Sequence, residues 1–309
     1  MLLNIIYLLA GFIILVYGAN LLVDGGAALA HRLKVPNIVI GLTVVAFGTS
    51  TPELVVNIIS SIEGSSALAL GNVLGSNIFN IMAILGVTAL FVPIGIKRST
   101  TWIEIPLAVL AAVLILILAN GEPAGIITRA EGFCLLCFFA VFIAYTLFIA
   151  KRGGQETEEV NIKPYSLKKS VLFILLGLAG LVGGGRLLVD GAVSLAQMAG
   201  ISERIIGLTI ISIGTSLPEL ATSLIAARKK NADIAIGNVV GSNIFNTFLI
   251  GISPLKVTTD SVTDLWVNIG VSVLLFIFVF TGKGRQINRW EGALFLTLYI
   301  TYLTLLIVS

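Results

Sequence analysis

Two glutamates carry the strongest chemical signal in this sequence. Glu53 closes the segment Gly48-Thr49-Ser50-Thr51-Pro52-Glu53, and Glu219 closes Gly214-Thr215-Ser216-Leu217-Pro218-Glu219, 166 residues later. Both lie inside apolar runs, where a bare carboxylate costs several kcal/mol or takes up a proton. Downstream of each stands a second repeated segment. Gly71-Asn72-Val73 and Gly75-Ser76-Asn77-Ile78-Phe79-Asn80 recur as Gly237-Asn238-Val239 and Gly241-Ser242-Asn243-Ile244-Phe245-Asn246. Asn72, Ser76 and Asn80 are spaced i, i+4, i+8 and share one helix stripe, as do Asn238, Ser242 and Asn246. Carboxylates, hydroxyls and amide oxygens together make a hard, all-oxygen donor set for cations.

Each motif has a plainer reading. Ser50-x-x-Glu53 fits a capping box with proline in the first helical turn. Gly71-x-x-x-Gly75 fits a small-residue packing face, and a lone membrane asparagine is often interhelical glue. A cap belongs at a helix end, yet this one sits mid-run. Both roles are compatible if the span breaks, one helix ending near Gly48 and another starting at Ser50. Such a break frees carbonyls around Ala46–Thr49, which is tolerated at that depth only where they line a cavity or bind something. One divalent cation between Glu53 and Glu219 gives a neutral site, and neutral oxygens then complete a shell of about six to eight, which suits calcium better than magnesium. The same oxygens can instead bind several sodium ions.

The elements that position these residues follow from composition. The chain is 57% hydrophobic and 11% charged, against roughly 25% charged in ordinary soluble domains. Apolar runs of about 20 residues span hydrocarbon, and they predict ten crossings near 2–23, 37–61, 66–92, 102–120, 127–150, 169–189, 205–227, 233–254, 262–281 and 290–308. The first is read as a retained helix, since it lacks a basic leader and a cleavage site. Loops on the N-terminal side carry Arg129, Arg186, Arg204 and Lys256; the opposite loops carry the other fifteen of the nineteen basic residues. Basic loops stay cytoplasmic, so both termini are expected outside. Five spans per copy is odd, so the repeats are inverted about an axis in the membrane plane, and their matching motifs meet near the midplane. The expected organisation is a five-helix repeat over 1–150, a cytoplasmic linker over 151–168 and an inverted repeat over 169–309: an all-α membrane protein with broken helices at its site.

An enzyme is not indicated. His31 is the only histidine, and Cys134-x-x-Cys137 has no further partners to complete a metal site. A net charge of +3 is too small to imply nucleic acid. His31 is expected at an interface, Asp24 and Asp190 as caps or surface pairs, and Trp102, Trp266 and Trp290 in aromatic belts. Asp260 and Asp264 are weaker candidates for drawing cations to the outer mouth.

The paired GTSTPE and GTSLPE segments, each followed by GN-x-x-GSNIFN, resemble the two alpha repeats of the sodium/calcium exchangers in the cation/calcium antiporter superfamily, prokaryotic type. The resemblance covers nearly the whole chain. It implies that Glu53 and Glu219 hold calcium together with backbone oxygens of Thr49 and Thr215. It also implies that Ala46, Ser50, Ser76, Ser212, Ser216 and Ser242 contribute to flanking sodium sites, with Asn80 and Asn246 facing the middle. Some relatives place Asp at one of those last two positions, whereas this chain has Asn at both. No cofactor is implied; the partners are calcium, sodium or protons, and the bilayer. The activity the resemblance implies is sodium-for-calcium antiport by alternating access; at about 3 Na+ per Ca2+ the two-carboxylate site would carry one net positive charge, so exchange at that ratio would be voltage-sensitive. The alternatives are proton/calcium antiport on the same glutamates and, from another class, a cation channel.

Overall fold

The computed structural model describes residues 2–62, 66–121, 125–152, 165–200, 212–250, 255–257, 259–282 and 284–308. In hydrocarbon every backbone polar group needs an internal partner, and the described chain is accordingly almost all helix. The first half holds α1 (Leu2–Leu33), α2 (Asn37–Thr49), α3 (Thr51–Ile62), α4 (Ser66–Phe79, continuing through Asn80–Leu85 and Gly86–Phe91), α5 (Thr100–Ala119) and α6 (Arg129–Arg152). The second holds α7 (Leu167–Met198), α8 (Ser212–Thr215), α9 (Leu217–Arg228), α10 (Ala232–Leu249), α11 (Thr259–Phe278) and α12 (Arg289–Val308).

By length and apolarity, α1, α4, α5, α6, α7 and α11 can each cross a bilayer, and α2 with α3 passes the same test together as a helix pair bent by 50° at the break. The remaining expected crossings fall on α8–α9, α10 and α12. The segment 205–211, with Gly207-Leu208-Thr209, lies outside the described residues, as do 153–164 of the expected linker. Asp233 through Phe248 of α10 is buried throughout, so its polar residues meet protein rather than lipid. Among the described residues three stretches are π-helical: Gly41–Val45, Asn80–Leu85 and Thr100–Glu104. Such widened turns often accompany functional sites.

The long helices α1 and α7 pack antiparallel along their lengths on glycines seven residues apart. A Cβ on Gly11 would lie 2.5 Å from the Leu188 nitrogen, on Gly18 2.7 Å from that of Leu181, and on Gly25 2.8 Å from the Ser170 carbonyl. Gly177, Gly184 and Gly191 meet α1 in the same way. Lipid is as apolar as leucine, so close backbone approach of this kind is what holds membrane helices together. The larger core lies elsewhere, where α4 and α10 are enclosed by α5, α6, α11 and α12 through residues such as Leu74, Ile78, Phe142, Phe248 and Phe295.

Two small antiparallel sheets close the rims. β1 (Ile94–Gly95) pairs with β4 (Gln286–Ile287), and β2 (Ile126–Ile127) with β3 (Leu255–Lys256). Because α5 separates β1 from β2, the sheets sit at opposite ends of the bundle. Each takes one strand from each repeat.

The packing expectation at Gly71-x-x-x-Gly75 needs correction. A Cβ on Gly71 would meet nothing within 4 Å, so no neighbouring helix requires glycine there. In the second repeat the approach is close: a Cβ on Gly237 would lie 3.1 Å from the Gly41 backbone and one on Gly241 2.7 Å from the Ala46 Cβ. Trp102, Trp266 and Trp290 are exposed toward the ends of α5, α11 and α12, His31 is exposed near the end of α1, and Cys134 and Cys137 face outward from α6.

Candidate ion-binding site

Proline sets the breaks. Pro52 and Pro218 have no N–H to offer the carbonyls of Gly48 and Gly214 four residues back, and the intervening Ser50 and Ser216 leave helical geometry (φ −81°, ψ 6° and φ −93°, ψ 7°). The α2–α3 and α8–α9 breaks thereby place Glu53 and Glu219 one turn into α3 and α9, both 1% exposed. Gly48 and Gly214 lie against side chains of α7. A Cβ on the first would lie 2.4 Å from Leu178 Cδ2 and on the second 2.3 Å from Val189 Cγ2, so either α7 side chain would have to shift to admit it.

The serines do not cap. Ser216 makes no side-chain cap bond; its hydroxyl donates to Glu53 Oε1 at 3.0 Å, and the Ser50 hydroxyl donates to Glu219 Oε1 at 2.9 Å. The capping-box reading is therefore not met at Ser216; its hydroxyl, like that of Ser50, is instead a charge-assisted donor to the carboxylate of the opposite repeat. Ser216 also lies 3.4 Å from the hydroxyl of Ser76.

The remaining polar residues repeat the same symmetry. Asn72 Nδ2 reaches the Glu53 carbonyl (3.4 Å) and Asn57 Oδ1 (2.8 Å); Asn238 Nδ2 reaches the Glu219 carbonyl (3.2 Å) and Ser223 Oγ (3.0 Å). These two asparagines steady the glutamate backbones. The Thr49 hydroxyl is taken up by Asn238 Oδ1 at 2.9 Å and by its own helix at the Ala46 carbonyl, 3.3 Å. That same Ala46 carbonyl accepts the Ser50 N–H at 2.9 Å, so the break does not leave it free. Across the centre, Asn80 Nδ2 donates to Asn243 Oδ1 (2.9 Å) and Asn246 Nδ2 to Asn77 Oδ1 (3.3 Å).

Among the described residues, several buried side-chain oxygens lack a hydrogen-bond partner, and four of them meet at this site: Glu53 Oε2, Glu219 Oε2, Asn80 Oδ1 and Ser242 Oγ; the others, such as Thr88 Oγ1, Glu104 Oε2 and Asn268 Oδ1, lie elsewhere. Buried polar groups are ordinarily satisfied, and all four belong to the duplicated motifs. Thr215 lines a crevice of about 450 Å³ that runs between α7 and the two breaks, past Pro52, Arg186, Asp190 and Pro218. On the other side a cavity of about 10 Å³ touches Ser50, Asn57 and Asn246, room for about one water. Ser212 begins α8, and its side chain lies outside the described residues.

The sequence model described as "Sodium/calcium exchanger protein" matches residues 3–148 and 169–308. The chain belongs to the sodium/calcium exchanger family. Among relatives of this exchanger-family chain, "Putative antiporter CaxA" of Alkalimonas amylolytica is 38% identical over 100% of both chains. "Sodium/calcium exchanger MaX1" of Methanosarcina acetivorans is 32% identical over 98% of both. The solved structure of the sodium-calcium exchanger NCX_Mj soaked with 10 mM Na+ and zero Ca2+ matches with a TM-score of 0.82 at 34% identity, covering 98% of each chain. Soaked with 2.5 mM Na+ and 0.1 mM Ca2+, it matches at 0.82 and 33% over the same shares.

For this member of the exchanger family, the sequence motifs are brought together around the two glutamates. Asn57, Asn77, Ser223 and Asn243 escaped notice. Asn77 and Asn243 fall one residue off the i, i+4 stripe, and their only signal was identity between the repeats. Asp264 Oδ1 accepts from Tyr302 at 2.8 Å, within the α11–α12 pair, and Glu104 Oε1 accepts from Tyr145 at 2.6 Å between α5 and α6. The side chain of Asp260 lies outside the described residues. Asp24 does pair near a helix end, with Lys229 at 2.7 Å.

Proposed function

We propose that this chain exchanges sodium for calcium across the cell membrane by alternating access, with Glu53 and Glu219 holding the calcium. The observation that carries the reading is the set of four partnerless buried oxygens on the two symmetry-related motifs. Such oxygens are costly unless something positive meets them. Among the described residues no three acidic, histidine or cysteine side chains gather, so serine, threonine and asparagine oxygens supplement the two carboxylates. A single calcium neutralises the two carboxylates, and hydroxyl and amide oxygens complete its shell. Backbone oxygens of Thr49 and Thr215 join this calcium site; Ser50, Ser216, Ser76 and Ser242, with Ala46 and Ser212, serve sodium, and Asn80 and Asn246 face the centre.

About three sodium ions against two carboxylates leave one positive charge where calcium leaves none, so exchange at that ratio moves charge across the membrane. The glycine-packed α1–α7 pair is the mobile unit, sliding past the breaks. Both termini lie outside, with the basic loops in the cytoplasm. Proton/calcium exchange would need only the glutamates, and the ring of serine and asparagine oxygens around them favours sodium instead.

Calcium uptake into proteoliposomes, with sodium, proton and voltage gradients varied one at a time, tests the reading. An outward sodium gradient should drive uptake, and an inside-negative potential should alter its rate. Uptake driven by a pH gradient and indifferent to sodium would overturn the choice of counter-ion. Flux at single-channel rates would overturn the carrier.

A further inference from the structure

The central amides differ in how firmly they are held. Asn243 Nδ2 donates to the backbone carbonyl of Asn77 at 3.2 Å. A carbonyl only accepts, so the amide of Asn243 has one permitted orientation, with Oδ1 turned toward Asn80. Asn80 must then present Nδ2 to it, which it does at 2.9 Å. That contact turns the one cation-repelling edge of Asn80 away and leaves Oδ1 partnerless at 1% exposure.

The opposite repeat ends differently. Asn246 Nδ2 donates to Asn77 Oδ1, and Asn77 Nδ2 in turn donates to the hydroxyl of Thr247 at 2.9 Å. A hydroxyl both donates and accepts, so Asn77 can turn over and keep both of its bonds. Its Oδ1 would then accept a hydrogen bond from the Thr247 hydroxyl, and its Nδ2 would face position 246. The residue corresponding to Thr247 in the first repeat is Ile81, which has no hydroxyl to offer Asn243. The two chains of hydrogen bonds are therefore related by the repeat but end in groups of different capability.

Resting on the antiport reading above, we propose that Asn243 and Asn77 are positioning residues of the transport site. They orient Asn80 and Asn246 so that only oxygen faces the cations, Asn243 irreversibly and Asn77 reversibly. A side chain that only accepts is consequently tolerated at position 246 and rejected at position 80, where its oxygen would confront Asn243 Oδ1.

Three full-length variants test this in proteoliposomes under an imposed sodium gradient: Asn80→Asp, Asn246→Asp and Asn243→Leu. Asn246→Asp should keep sodium-driven calcium uptake within about tenfold of the parent, and Asn80→Asp should fall at least about tenfold further, the scale of one charge-assisted hydrogen bond lost. Asn243→Leu, close in size and unable to donate or accept, should raise the calcium concentration for half-maximal uptake about tenfold while uptake at saturating calcium is retained. A purely structural role would instead lower the amount of folded protein, read from the detergent melting midpoint, and leave half-saturation unchanged. Equal tolerance of Asp at both positions, or parent-like half-saturation in Asn243→Leu, overturns the proposal. If Asn80→Asp is isolated only unfolded, the half-saturation of Asn243→Leu decides alone. Failure of the parent protein itself to exchange calcium for sodium would instead overturn the antiport reading.

Discussion

Replacing Gly18 by alanine adds one methyl group at the middle level of the α1–α7 seam. The new Cβ would stand 2.7 Å from the Leu181 nitrogen and 2.9 Å from the Gly177 carbonyl. Both partners are backbone and cannot swing aside. Ordinary contact begins at 3.4 Å, so the helices must part by about 0.7 Å at this level. Dispersion falls steeply with such gaps, and the Gly11 and Gly25 levels share the loss. Overpacking of this kind costs about 1–3 kcal/mol, and no hydrophobic drive between membrane helices offsets it. Gly183→Ala is the control, since nothing lies within 4 Å of a Cβ there and alanine is the better helix former. Unfolding in mixed detergent micelles should show Gly18→Ala destabilised by about 1–3 kcal/mol and Gly183→Ala unchanged or slightly stabilised. Equal stability of the two variants would refute the claim that backbone approach holds the pair.

Glu53→Gln and Glu219→Gln should each abolish sodium-driven calcium uptake while melting near the parent, because each removes half the negative charge that meets the cation; uptake retained in both would sink the site assignment. Lys229→Met breaks the ion pair to Asp24 between α9 and α1, which is partly exposed (31% and 28%). It should shift the balance between the two access states by about two- to fivefold, read as a change in calcium half-saturation on one face only; an equal change on both faces would count against a latch. Tyr145→Phe strips Glu104 Oε1 of its partner in a fully buried setting. It should cost about 1–3 kcal/mol of stability with calcium half-saturation unaltered, and a changed half-saturation would tie Glu104 to transport.

What could be read from sequence was whatever the chain states twice. Glu53 and Glu219, the Ser–Asn stripes and the broken spans follow from motifs repeated at a fixed offset within apolar runs. The glycines at 11, 18 and 25 recur at 177, 184 and 191 by that same offset, and a search on it finds the α1–α7 seam. Contacts between repeats were not legible. Ser50 stands at the right spacing for a cap, and only the fold reveals that its hydroxyl donates to Glu219 of the other repeat. The hydroxyl of Thr49 likewise goes to Asn238, a partner 189 residues away. Asn77 and Asn243 look like neighbours of the stripe until the repeats face each other, when each becomes the acceptor for the other half's amide.

The two rim sheets have a consequence for how such a chain can be divided. Each pairs the strand before a repeat's fourth long helix with the strand after the other repeat's fourth, so neither half can satisfy its own rim backbone. A polypeptide of half this length would own one strand of each kind and leave both edges unpaired. Two such polypeptides, inserted in opposite senses, would supply each other's missing strand on both faces of the membrane. The single chain fuses that arrangement and fixes the ratio of the two insertions at one to one.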